Sequence, residues 1–123
     1  MSGNPTRRID IRPYEGEVRV VFAGEQVAWS KRALALSESG LPLRYYIPPQ
    51  DVRRDLLTPT ATKTRCPFKG IASYWSLAVN GREVADAVWS YLDPIPDCAA
   101  IKGYFSFHPE KVDRIEADGK SST

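Results

Sequence analysis

The sequence is short of the residues from which many sites are made. Two cysteines, Cys66 and Cys98, and one histidine, His108, are all it holds of either kind. A disulfide framework needs more thiols than that, and a tetrahedral zinc site needs paired cysteines or histidines a few residues apart. Cys66 and Cys98 stand singly and His108 is remote from both, so zinc is rejected and reduced thiols in a cytoplasmic protein are expected. No apolar run nears the ~20 residues that span a bilayer. The start, "MSGNPTRRIDIRP", has no apolar core of a secretory signal. An excess of one sign of charge is lacking too. A formal net charge of +2 and dispersed basic pairs (Arg7-Arg8, Lys31-Arg32, Arg53-Arg54) form no stripe, which argues against nucleic-acid and membrane partners. No GxSxG, GxxxxGK[ST] or GxGxxG occurs.

What is present describes a single β-rich domain. A chain of 123 residues is long enough to bury roughly two-thirds of its unfolded surface around one core. Residues 1–15 are polar and proline-interrupted and are expected to be flexible, as is the tail 119–123; the domain proper is placed at 16–118. "EVRVVFAGEQVAWS" alternates Val18, Val20 and Phe22 before a turn at Ala23-Gly24-Glu25, the pattern of a hairpin. Leu34 and Leu36 alternate in a short strand, and "LPLRYYIPP" is extended because its prolines forbid helix. "PPQDVRRDLL" offers one short helical turn, with Pro49 at its first position and Asp51 near its positive end. "IKGYFSF-HPEK-VDRIEA" reads as a last hairpin.

The clearest element is "IASYWSLAV-NG-REVADAVWSY". Asn-Gly suits a two-residue type I′ turn, which needs positive φ at both positions. Counting from that turn pairs Val79 with Arg82, Leu77 with Val84, Trp75 with Asp86 and Ser73 with Val88. Ile71, Trp75, Leu77, Val84 and Val88 then share one face. The other face carries Tyr74, Trp89 and Tyr91, with Gly70, Ala72, Ala85 and Ala87 between them. Many short strands and almost no helix predict an all-β fold.

Two features bear on function. The aromatic face forms a floor for a planar ligand, unless a second layer packs there and fills the space. Cys66, flanked by Arg65 and Lys69 in "TRCPFKG", is either a thiol activated by positive charge or a small buried hydrophobe at a strand start. Arg32, Glu38 and Asp51 lie near apolar segments, where either a shared cleft or ordinary solvation accounts for them.

From Val18 to Asp118 the chain resembles a family of unknown function, DUF427. The stretches that carry the resemblance are "RALALSESGLPLRYYIPPQDV", "LLTPTATKTRCPFKGIASYW", "AVWSYLDPIP" and "IKGYFSFHPEKVD". The resemblance implies a β-tent-like fold, two antiparallel sheets packed at an angle with a pocket between them, as in the zinc-bearing methionine-R-sulfoxide reductases but without their zinc cysteines. It implies no family cysteine at Cys98. Arg65, Cys66, Lys69, Gly70, Tyr74 and Trp75 match the family position by position, beside the hairpin against which pockets of that class lie. The family is sometimes labelled a nucleotidyltransferase domain. Metal-dependent nucleotidyl transfer uses clustered carboxylates, and this chain has no Asp-x-Asp pair.

The leading expectation is a metal-free, cofactor-free small-ligand protein. Tyr74, Trp89 and Tyr91 form the floor, Arg32, Arg65 and Lys69 supply positive charge for a planar or anionic ligand, and Cys66 lies at the rim. The alternatives are an enzyme with Cys66 as nucleophile or redox thiol, and a protein-interaction module.

Overall fold

In the computed structural model, which describes residues 9–119, Asn80 and Gly81 both adopt positive φ, 51° and 81°. That pair of angles turns the chain between two ten-residue strands, β7 (Gly70–Val79) and β8 (Arg82–Tyr91). The other strands are β1 (Ile9–Pro13), β2 (Gly16–Phe22), β3 (Glu25–Ser30), β4 (Leu34–Glu38), β5 (Arg44–Tyr46), β6 (Leu57–Cys66), β9 (Phe105–Phe107) and β10 (Arg114–Gly119). The helical content is limited to short 3-10 turns at Pro49–Asp51, Arg54–Leu56, Pro96–Ile101 and Pro109–Lys111. Among the described residues no helix is long and apolar enough to cross a membrane.

The fold is all-β and antiparallel. Three sheets form, in the orders β1-β4-β5, β10-β2-β3 and β6-β7-β8-β9. The short β5 joins the four-stranded sheet only through a bridge, in which Ile47 and Phe105 exchange backbone hydrogen bonds of 2.8 and 2.9 Å.

The four-stranded sheet carries a different core on each face. Trp75, Leu77, Val84 and Val88 meet Val18, Val20, Phe22 and Val27 of the β2–β3 hairpin. Ala72, Tyr74, Trp89 and Tyr91 point the other way, toward Leu36 and Tyr46 of β4 and β5 and toward Cys98 and Ile101. Alternation along the strands separates the two sets, as the Asn-Gly register predicts.

That register is followed only near the turn. Val79 faces Arg82 and Leu77 faces Val84, but Trp75 then lies opposite Val88 and Ser73 opposite Ser90. Two residues along β7 thus correspond to four along β8, an insertion of two. The insertion is a bulge at Asp86, whose φ is +54°. Its carboxylate accepts hydrogen bonds of 2.7 Å from both Thr60 and Thr62, and its N–H donates to Ser76 Oγ at 3.4 Å. β6 is irregular at the same level, between Pro59 and Lys63. An even insertion keeps face parity, so Tyr74 and Trp89 remain on one side and directly opposite each other.

Other expectations are corrected. Ile71, assigned to the core face, is 55% exposed, because the hairpin core does not extend over that end of β7. Ala87, assigned to the aromatic face, is buried in the hairpin core, because the bulge turns it there. Ile9–Pro13, inside the segment expected to be flexible, pairs with β4 from Ile9↔Glu38 to Pro13↔Leu34 and packs Ile9 and Ile11 against the second core. The last hairpin does not form. The 3-10 turn at Pro109–Lys111 carries the chain from one sheet to another, so β9 pairs with β8 and β10 with β2. Arg7-Arg8, with residues 1–8 and 120–123 of the expected flexible ends, lies outside the described residues.

Candidate functional site

The second core is incompletely filled. Between β4, β5 and the aromatic face of β7–β8 lies a cavity of about 200 Å³, walled by the rings of Tyr46, Tyr74, Trp89, Tyr91 and His108. A dry cavity of ~150 Å³ accommodates benzene, so this space suits one substituted ring. Leu41 and Pro42, in the loop that Gly40 starts at φ +78°, form part of its lining.

The rings hold one another in place. Trp89 Nε1–H donates to the Tyr46 hydroxyl at 3.1 Å, and the two rings meet edge to face at 6.2 Å. Tyr74 shares a 2.9 Å hydrogen bond with the Thr64 hydroxyl and lies parallel to His108. The Arg44 guanidinium stands 5.7 Å from the centre of the Trp89 ring. Burial pushes the Tyr46 and Tyr91 hydroxyls well above the usual phenol range. Burial first, then Lys111 and Arg44, lowers the His108 pKa and favours the neutral imidazole.

One wall is ionic. Lys69 Nζ donates to Glu38 Oε1 at 2.6 Å, and the two residues are only 8% and 7% exposed. Each is placed by its backbone. Glu38 ends β4 on the same side as Leu34 and Leu36. Lys69 closes a turn in which its N–H donates to the Cys66 carbonyl at 3.1 Å, and its own carbonyl accepts from Ile95 at 2.9 Å. Gly70 makes this approach feasible. Its φ is +124°, and a Cβ there would come within 3.3 Å of the Pro94 Cα. A buried ion pair is weak evidence for stability, since apolar residues of similar volume often serve as well. Its place in a cavity wall is the more informative fact.

Four of the residues singled out from sequence, Lys69, Tyr74, Trp89 and Tyr91, line this one cavity. Three do not. Arg32 is tied to Asp51 at 3.0 Å, on a surface where Ser30 also donates to Asp51. Arg65 is exposed on β6, outside the lining. Cys66 is half-buried against the second core and does not line the cavity, and the Lys69 ammonium expected to activate it points to Glu38 instead. Cys98 is buried, its thiol raised chiefly by burial, and it donates weakly to the Phe68 carbonyl at 3.5 Å. The positive charge of the site comes instead from Arg44, which the sequence reading passed over, as it did Tyr46 and His108.

A second cavity of similar volume lies beside the hairpin core. Val20, Leu43, Ile47, Phe107 and Ile115 make it almost wholly apolar, with Arg44 at its edge. It lacks converging polar groups. Among the described residues no three His, Cys, Asp or Glu side chains gather to hold a metal ion.

These features define an all-β domain with an aromatic, ion-paired cavity on the second face of its four-stranded sheet. The model of a family described as a domain of unknown function, DUF427, matches residues 10–118, and the chain belongs to that family. No curated protein matches it.

Proposed function

We propose that the protein binds a small planar molecule between the β4–β5 pair and the aromatic face of β7–β8. The observation that carries this reading is the convergence of a buried Lys69–Glu38 pair and several aromatic rings on one space the size of a single substituted ring. The ligand ring would stack on or against Trp89, Tyr74 and Tyr91. The ion pair would present a donor and an acceptor to its polar edge. The alternative of a thiol-dependent enzyme draws no support from the position of Cys66, and nucleotidyl transfer draws none from the carboxylates.

The test is calorimetric titration of the full chain with a panel of single-ring aromatics, repeated on Trp89→Ala and on the less buried Tyr74→Ala. Circular dichroism would check that each variant is folded. Loss of binding in folded variants is expected. Unchanged affinity in both places the ligand elsewhere.

A further inference from the structure

Most arginines of the described chain have a carboxylate to hold. Arg12 pairs with Asp10, Arg19 with Glu116, Arg32 with Asp51, Arg53 with Asp55 and Arg82 with Asp113, each within 3.5 Å. Arg44 differs. It is half-buried in the cavity wall, and among the described residues its guanidinium has no carboxylate or hydrogen-bond acceptor, only the face of Trp89. Arg54 and Arg65 are also without a carboxylate, but both are exposed and water serves them.

Glu38 is held by the Lys69 ammonium, and burial favours the neutral forms of His108, Tyr46 and Tyr91. Arg44 adds a positive charge that, among the described residues, has no carboxylate of its own and stands beside the rings. Its planar fork matches a carboxylate bidentately and lies flat against an aromatic neighbour, as an ammonium does not. A phosphate dianion would bring two negative charges against the Glu38 carboxylate, which lines the same wall. The volume allows one ring and a small substituent.

Resting on the proposed cavity, we infer that its ligand is an aromatic monocarboxylate, with the carboxylate on Arg44 and the ring among Trp89, Tyr74 and Tyr91. Arg44 is then the anchor that sets specificity for charge, and the rings set specificity for shape.

Benzoate and benzamide, nearly equal in shape and different in charge, separate the two claims. Calorimetry on the wild-type chain should show benzoate bound about ten- to a hundred-fold more tightly, the range of a charge-assisted bidentate contact over a neutral one. In Arg44→Gln that preference should vanish, the affinities of benzoate and benzamide becoming equal, and Arg44→Lys should restore part of it. Inorganic phosphate should compete poorly with benzoate. Equal binding of the two probes to wild type, a preference that survives Arg44→Gln, or efficient competition by phosphate overturns the carboxylate assignment and leaves the cavity reading standing. Failure of both probes to bind wild type overturns both.

Discussion

Replacing Lys69 by methionine removes one half of the buried pair and nothing else of comparable size. Glu38, only 5% exposed in its side chain, then loses the ammonium that donates to it at 2.6 Å. Breaking a buried pair from one side costs about 3–5 kcal/mol, because a desolvated charge loses a close counter-charge. For a domain near 120 residues, about 4 °C of Tm per kcal/mol gives a fall of roughly 12–20 °C. The double variant Lys69→Met/Glu38→Leu should recover most or all of it, since apolar pairs of similar volume are often neutral or better by about 1–4 kcal/mol. Thermal and urea unfolding of wild type, both single variants and the double variant form a complete cycle. A double variant as stable as wild type that no longer binds aromatic probes would show the pair to be retained for the cavity. If Lys69→Met costs under about 1 kcal/mol, the range of an exposed pair, the wall is wet and the ionic contribution to the site has been overdrawn.

Two other outcomes follow from the same region. Gly70→Ala places a Cβ against the backbone of Pro94 at a φ of +124° and should cost about 3 kcal/mol, near the top of the range for stored backbone strain. Gly103→Ala, at φ +76° with open space around it, should cost only about 1–2 kcal/mol, and unfolding midpoints of the two variants decide the comparison. Burial holds the His108 pKa below its unfolded value of about 6.5. Between those two values the unfolded chain binds the extra proton, so stability should fall as pH drops from about 7 through 6. His108→Gln should flatten that slope; an unchanged slope assigns it to another group. Asp86, whose pKa is lowered by the Thr60 and Thr62 hydrogen bonds, acts in a separate window, its contribution being lost below about pH 4.

The parts of the fold legible in sequence were those set by local chemistry. Asn80-Gly81 fixed a turn, alternation fixed the faces of β7 and β8, and prolines kept the segment around β5 (Arg44–Tyr46) extended. The bulge at Asp86 was hidden, because "VADAVW" alternates like any strand and the hydroxyls that hold the bulge come from Thr60 and Thr62, more than twenty residues away. The partners of β1 and β10 were hidden for the same reason, since pairing between distant segments leaves little local trace. Of the residues that line the cavity, Lys69, Tyr74, Trp89 and Tyr91 were singled out from the sequence because they belong to or adjoin the hairpin. Arg44 and Tyr46 sit on a three-residue strand whose placement depends on the Ile47–Phe105 bridge. Their one available signal was an arginine beside two tyrosines between prolines. Sequence proximity to Lys69 suggested a shared site for Cys66, whereas the turn sends the ammonium to Glu38.

The indole N–H of Trp89 gives the most direct reading of the central claim, because it donates to Tyr46 at the edge of the cavity. Titration of the ¹⁵N-labelled chain with benzoate should move that resonance together with the amides of Lys69, Tyr74, Tyr91 and His108, and leave Val20 and Ile115 in place. Shifts confined to Val20, Phe107 and Ile115, or no shifts at millimolar probe, would contradict the account.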